Sequence, residues 1–362
     1  MINSNSKILF LCPSFNLPIG GVKQIYRQVD VLNSVGFDAY VLHPFFYSKE
    51  TWFENKTRVL YNQSAFKKTS IVPEYNFKGK IYTIFKKYIN KGKNDWKNTF
   101  KPDLFFETQI GQSDLLVYPE VYAHALASNF ANNKFLVYAQ GCFILFKDIK
   151  DISQTVYQHK NLLGVMVNST YSYEYIKFLF PNINLRKIHH FINPLIFANQ
   201  GTKKKQIVLS SKKLPNDASQ IINIFNLSMY AQHWSLVDIS ENNSSHKHSY
   251  IAEILSESAI YINLVTAEGF GLPAAEAMSS GCLVIGYPGY GGLDYMSGEF
   301  TFPIREGDVI ALMKTLFEVL QNLDNKPTAY NEMLLHSKSF ISQTYSEENE
   351  KTDIKDFWNK IV

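Results

Sequence analysis

The feature that most constrains this chain is an alternation. Short apolar runs, each ending at a polar residue, are followed by loops and then by segments with helical spacing. "KILFLCP" (Lys7–Pro13) is the first such run, and the loop after it holds "PIGGV" (Pro18–Val22). "KQIYRQVDVLNSVG" then sets Ile25, Val29 and Leu32 on one helical face, with Gly36 placed as a C-terminal cap. "DAYVLHP" opens a second strand. Strand, glycine loop, helix, strand is a βαβ unit, and such crossovers build parallel sheets. "DLLVYPE" (Asp114–Glu120), "KFLVYAQG" (Lys134–Gly141) and "LGVMVNS" (Leu163–Ser169) continue the series. "STYSYEYIKFLFP" reads as a helix capped by Ser169 and ended by Pro181.

A polar, lysine-bearing connector, "FINPLIFANQGTKKKQIVLSSKKLPND" (Phe191–Asp217), interrupts the pattern, which restarts inside it at "QIVLSS". A helix ("ASQIINIFNLSMY"), a strand ("WSLVDIS"), a helix ("YIAEILSESA"), a strand ("IYINLV") and a late helix ("DVIALMKTLFEVLQNL") follow. The expected architecture is α/β, with two Rossmann-like β/α/β domains: residues 1–192 and residues 193–340. The remainder, 341–362, is a charged helix with Ile354, Phe357, Trp358 and Ile361 on one face, suited to crossing back onto the first domain. In such sheets ligands lie beyond the carboxyl ends of the strands. Position alone therefore makes His43, Glu120 and Gln140 candidates for the ligand crevice. His124 is a weaker candidate, since a lone histidine is more often structural.

Composition narrows the function. With 46% hydrophobic and 19% charged residues in 362, the chain fills two real cores. A net charge of +4 is too slight to argue for nucleic acid. Cys12, Cys142 and Cys282 lie far apart, with neither metal nor disulfide spacing. The start, "MINSNSKILFLCPSFN", reads as a buried strand rather than a signal peptide, and no run nears ~18 apolar residues. A cytoplasmic protein is expected. The stretch Lys78–Lys101 interleaves lysines with Ile, Tyr, Phe and Trp. It suits peripheral contact with an anionic membrane at the inner face of the plasma membrane, or an ordinary solvated helix packed on the domain.

The chemistry concentrates in "AEGFGLPAAEAMSSGCLVIGYPGYGG" (Ala267–Gly292). "AIYINLV" is a buried parallel strand and "LPAAEAMSSG" a helix, so "EGFG" is the turn between them. Unpaired backbone N–H groups point outward there, backed by the positive end of the helix dipole. Gly269 and Gly271 let the backbone approach a ligand closely. Glu268 projects from the strand's end. Glu276, seven intervening residues later, sits one turn into the helix, where a carboxylate can accept two hydrogen bonds from a vicinal diol such as a ribose. The helix dipole offsets about 0.3–1 kcal/mol of its charge cost. The plainer alternative is a helix-capping Glu268 and a solvated Glu276.

This string resembles the E-x7-E signature of retaining GT-B-fold glycosyltransferases, family 4 in particular. "PIGGV" is similar to that family's N-terminal glycine loop, "HHFINPLIF" to its interdomain connector, and "FPIREGDVIALMKTLFEVL" to its tail motif. The resemblance implies two Rossmann-like domains facing a central cleft, the second holding a nucleoside-diphosphate-sugar. Glu276 is then the ribose ligand and Glu268 lies beside the reacting carbon. Gly269, Phe270, Gly271 and Leu272 form the donor-binding turn. Gly20 and Gly21 close over the diphosphate, and the first domain, with His43, Glu120 and Gln140, binds the acceptor. It further implies transfer of the sugar, with retention, to a glycan or lipid-linked acceptor in bacterial surface polysaccharide (capsule or lipopolysaccharide) synthesis.

Two positions depart from the family pattern. The Arg…Lys pair that neutralises the leaving diphosphate is replaced by adjacent Lys212 and Lys213, which act as point charges without bidentate geometry, and Asp217 stands near the usual lysine place. A histidine near the donor sugar is replaced by Gln140, which hydrogen-bonds but does not titrate. No Asp-x-Asp pair or metal-spaced cluster occurs, so catalysis with neither metal nor cofactor is expected. A sugar-nucleotide epimerase on the same scaffold, or a non-catalytic nucleotide-sugar-binding protein, stays open.

Overall fold

The computed structural model describes residues 6–13, 19–44, 50–66, 107–130, 132–146, 149, 152, 155–198, 201–241 and 248–361. The basic stretch Lys78–Lys101 lies outside them. Among the described residues no helix is long and apolar enough to cross a membrane.

The first lobe is built on β1 (Ile8–Leu11), α1 (Gly20–Ser34), β2 (Ala39–His43), β3 (Val59–Tyr61), β4 (Leu115–Pro119), α2 (Ala123–Ala127), β5 (Phe135–Ala139), β6 (Leu162–Val167), α3 (Thr170–Leu179) and β7 (Leu185–Lys187). Its seven strands lie in the order β3-β2-β1-β4-β5-β6-β7, and every pairing is parallel. β1, β4 and β5 are buried along their whole length. That explains their continuous apolar runs: a parallel sheet is covered on both faces, so no alternate residue faces water. Gly36, just beyond α1, takes φ +95°, the left-handed geometry of a helix terminator. Ser169 caps α3 by accepting from the Ser172 amide.

The second lobe follows with β8 (Lys204–Leu209), α4 (Pro215–Asn226), β9 (Ser235–Asp238), α5 (His248–Glu257), β10 (Ser258–Asn263), α6 (Leu272–Ser279), β11 (Leu283–Gly286), the short α7 (Gly289–Gly292), β12 (Phe302–Pro303), α8 (Val309–Asn325), α9 (Asn331–Thr344) and α10 (Glu347–Trp358). Its five parallel strands run β12-β11-β10-β8-β9. Asp308 caps α8 through the Ala311 amide.

The chain then returns. Ile354, Phe357 and Trp358 of α10 enter the first lobe's core beside Ile8, Phe10 and Tyr26. The fully buried Trp358 ring lies 6.0 Å from Phe10 and 6.2 Å from Phe37. Burying such side chains contributes about 1.5–3 kcal/mol each. Polar clamps fix the register: Arg27 of α1 donates to buried Glu350 at 2.7 Å, and Asp353 takes Arg186 at 2.8 Å and His189 Nδ1 at 2.6 Å. The final helix therefore ties the lobes into one body.

Candidate functional site between the two lobes

The carboxyl ends of strands from both sheets meet at a seam, and the strand-to-helix turn after β10 sits in it. Its backbone lies directly against the first lobe. A Cβ added at Gly269 would fall 1.7 Å from the carbonyl oxygen of Gln140, and one at Gly291 would fall 1.9 Å from the Gly269 oxygen. Backbone cannot yield that far, so glycine is the residue these positions accept. Gly271, at φ +88°, turns the chain into α6, and Tyr295 donates its hydroxyl to the Phe270 and Gly271 carbonyls at 2.9 and 2.6 Å. The Phe270 ring is buried against His190, Tyr295 and Tyr345, so only its backbone is open to a ligand.

Both glutamates sit at this seam with a cation. Glu268 pairs with Lys213, in the loop after β8. Partial desolvation, and then the neighbouring charge of Lys212, lowers the Lys213 pKa; both lysines remain exposed to solvent. Glu276 is 7% exposed. Its Oε1 lies 4.0 Å from Lys23 Nζ, on the first turn of α1 in the opposite lobe, and 3.6 Å from His248 Nε2 at the start of α5. Lys23 and His248 meet at 2.6 Å.

From the first lobe, Gly20 faces Leu272, whose Cδ1 lies 3.0 Å from the position of an added Cβ. Gln140 Nε2 donates to the Gly21 carbonyl at 2.9 Å, and its own carbonyl accepts from Asn168 at 2.8 Å. Glu120 is buried at the end of β4, beside Gly141. Burial pushes its pKa up to about 7, although backbone N–H groups of Gln140 and Gly141 favour the charged form. Glu120, Gln140, Gly20 and Gly21 therefore line the seam together with the Glu268–Glu276 turn.

His43 does not join them. Its side chain is fully buried, its Nε2 lies 2.8 Å from the Tyr26 hydroxyl, and burial lowers its pKa to about 3. The imidazole is enclosed behind Tyr26, apart from the residues that line the seam. His124 lies 3.4 Å from the Thr155 hydroxyl with its ring near Tyr157, a packing role. Asp217 accepts from the Tyr287 hydroxyl at 2.9 Å.

Lys23 and His248 were not singled out in the sequence. Lys23 carried a usable signal, because it follows the glycine pair within one helical turn. His248 carried none: only folding brings the start of α5 to α6. Asp294 is a third such residue. It accepts from the Thr170 amide at 2.9 Å and meets Lys187 at 3.4 Å, reaching across the seam to the first turn of α3.

No protein-family model matches the chain. An α-1,6-glucosyltransferase of Actinobacillus pleuropneumoniae serotype 7 (strain AP76) is 26% identical over 191 residues, 51% of this chain. The match spans 56% of that relative, little more than half its length. Among solved structures, a sucrose-phosphate synthase from Thermosynechococcus elongatus superposes with a TM-score of 0.65 at 14% identity, covering 98% of this chain and 99% of that one. Staphylococcus aureus TarM, solved with UDP and α-GlcNAc-glycerol, gives 0.64 at 10% identity, covering 98% and 99%. Anabaena HepE, solved with UDP-glucose, gives 0.60 at 13% identity, again covering 98% and 99%. Likeness at such low identity speaks to architecture, and the architecture it establishes for this chain is the two-lobed α/β GT-B fold.

Proposed function

We propose that the protein is a glycosyltransferase that moves a sugar, with retention, from a nucleoside-diphosphate-sugar to a glycan or lipid-linked acceptor in bacterial surface polysaccharide synthesis. The observation that carries this reading is the pair of glutamates on one strand-turn-helix segment, each held at the seam by a lysine: Glu268 by Lys213 and Glu276 by Lys23. The half-length relative named for glucosyl transfer and the fold neighbours solved with UDP or UDP-glucose support the donor class.

In this reading Glu276 accepts hydrogen bonds from the ribose diol, and the backbone of Gly269–Leu272 faces the sugar and diphosphate. Gly20 and Gly21 close over the diphosphate from the first lobe. Lys212 and Lys213 stabilise the charge that grows on the leaving group, the kind of preorganised electrostatics that dominates such reactions. Glu268 lies beside the anomeric carbon. The bond from that carbon to the acceptor oxygen forms as its bond to the diphosphate oxygen breaks, on the same face, and the acceptor's proton passes to the departing phosphate. Gln140 supports that route. It has no titrating group, and its amide is already engaged with the Gly21 carbonyl. Glu120, at the same seam, is placed to meet the acceptor. Peripheral membrane contact through Lys78–Lys101 completes the proposal for a lipid-linked acceptor.

The test is incubation with a panel of nucleotide sugars, with and without oligosaccharide and lipid-linked acceptors. Nucleoside diphosphate release together with a product carrying an α-linked sugar from an α-donor supports the reading. An isomerised nucleotide sugar formed without acceptor identifies an epimerase. Binding with no turnover identifies a non-catalytic binder.

A further inference from the structure

Lys23 sits on the opposite lobe from Glu276 and is largely withdrawn from water, with 26% of its side chain exposed. Its ammonium touches His248 Nε2 at 2.6 Å, lies 4.0 Å from Glu276 Oε1, and stands 6.0 Å from the centre of the Phe197 ring. The same ring packs edge-on against His248, at 5.1 Å. Desolvation lowers the Lys23 pKa, and the charge of Glu276 works against that shift. Glu276 is the first of two carboxylates, with Glu350, that favour the charged form of this cation.

A ribose diol bound to Glu276 takes the carboxylate's free lone pairs. The carboxylate keeps its charge but gives lone pairs to the diol, and Lys23, an ion pair at 4.0 Å with no hydrogen bond to Glu276, is drawn to a stronger anion placed within its reach. The place for such an anion lies toward the start of α6. Leu272 precedes Glu276 by four residues, about 6 Å of helix rise. The four-carbon lysine stem spans that distance by rotation about its own bonds. Gly20, three residues before Lys23, already abuts Leu272, so α1 brings its first turn to the place where the diphosphate lies.

We infer that Lys23 is a donor-positioning residue supplied by the first lobe: it holds Glu276 while the site is empty and passes to the nucleotide diphosphate when the ribose takes Glu276. The inference rests on the nucleotide-sugar reading of the site. Lys23 then adds, from the first lobe, a cation to the Lys212–Lys213 pair after β8, a segment that holds no arginine.

Calorimetry separates the roles. UDP, GDP and ADP, and their nucleosides, are titrated into the wild-type protein, Lys23→Ala and Lys23→Arg. In Lys23→Ala the affinity for the diphosphate that binds the wild type falls roughly tenfold or more, the scale of a lost charge-assisted contact. Affinity for the matching nucleoside holds or rises, since Glu276 has lost its competitor. Lys23→Arg recovers most of the diphosphate affinity. An unchanged or tighter diphosphate affinity in Lys23→Ala overturns the inference and leaves Lys23 a strap between lobes. An equal fall for diphosphate and nucleoside overturns it too, because a structural role predicts that result. A wild-type protein that binds none of the six ligands rejects the nucleotide-sugar reading itself, and this inference with it.

Discussion

The two walls of the seam are built in different ways. The second-lobe wall is one continuous segment: β10 delivers Glu268, a glycine turn follows, and α6 carries Glu276 at a fixed helical offset. The first-lobe wall is assembled from the ends of separate elements, with Gly20, Gly21 and Lys23 from α1, Glu120 after β4, Gln140 after β5 and Asn168 after β6. Local chain geometry spaces the first set. Sheet register and packing space the second, so the same chemical task is written compactly on one side and scattered on the other.

The sharpest way to break this comparison is Gly269→Ala. The new methyl meets the Gln140 carbonyl, and the compact wall is forced off the scattered one. A misplacement near 1 Å costs about a hundredfold in rate, so sugar transfer should fall at least that far while circular dichroism stays native. Near-wild-type turnover means the closed seam is not the working arrangement.

Arg27→Ala probes what holds the scattered wall in place. It leaves Glu350, which is fully buried, without its guanidinium partner. Breaking such a pair costs about 3 kcal/mol, to be read as a lower urea midpoint with an unchanged slope. If stability barely moves, α10 is not anchored through this pair.

Glu120 gives the first-lobe wall a pH signature. Its folded pKa is raised to about 7 by burial, from an ordinary value near 4.5. The folded state therefore holds a proton that the unfolded chain has already released. The contribution to stability is complete below the unfolded pKa and is lost as pH rises through about 7. Glu120→Gln should remove that loss, flattening stability between pH 5 and 8 by roughly 2–3 kcal/mol. Parallel pH curves for the two proteins contradict it. Asp294→Ala is the mildest change. It removes a cap on α3 and a tie to Lys187, and a lowered melting temperature equivalent to about 1 kcal/mol is expected.

The same contrast explains what could be read from the sequence. Both sheets were legible because parallel strands buried on both faces leave uninterrupted apolar runs, and Gly36, Ser169 and Asp308 punctuate the helices between them. The Glu268–Glu276 turn was legible because its spacing is local. α9 (Asn331–Thr344) was missed: it buries only a narrow face around Ser337 and Ile341, so its periodicity is faint. β3 and β7 are three-residue edge strands that add little pattern. Lys23, His248 and Asp294 acquire their roles through contacts across 225, 28 and 124 residues of chain respectively, and no one-dimensional spacing encodes those. His43 shows the opposite case: its place at a strand's end points to the seam, while its tertiary partner Tyr26 encloses it.

One titration goes to the centre of the account, the claim that Glu276 grips a nucleotide ribose at the seam. Wild-type protein and Glu276→Gln are each titrated with UDP and with 2′,3′-dideoxy-UDP. The account predicts that the substitution weakens UDP by about tenfold or more and leaves the dideoxy analogue unchanged. The two losses in the cycle should overlap, because both remove the same contact. Equal weakening of both ligands, or of neither, contradicts it.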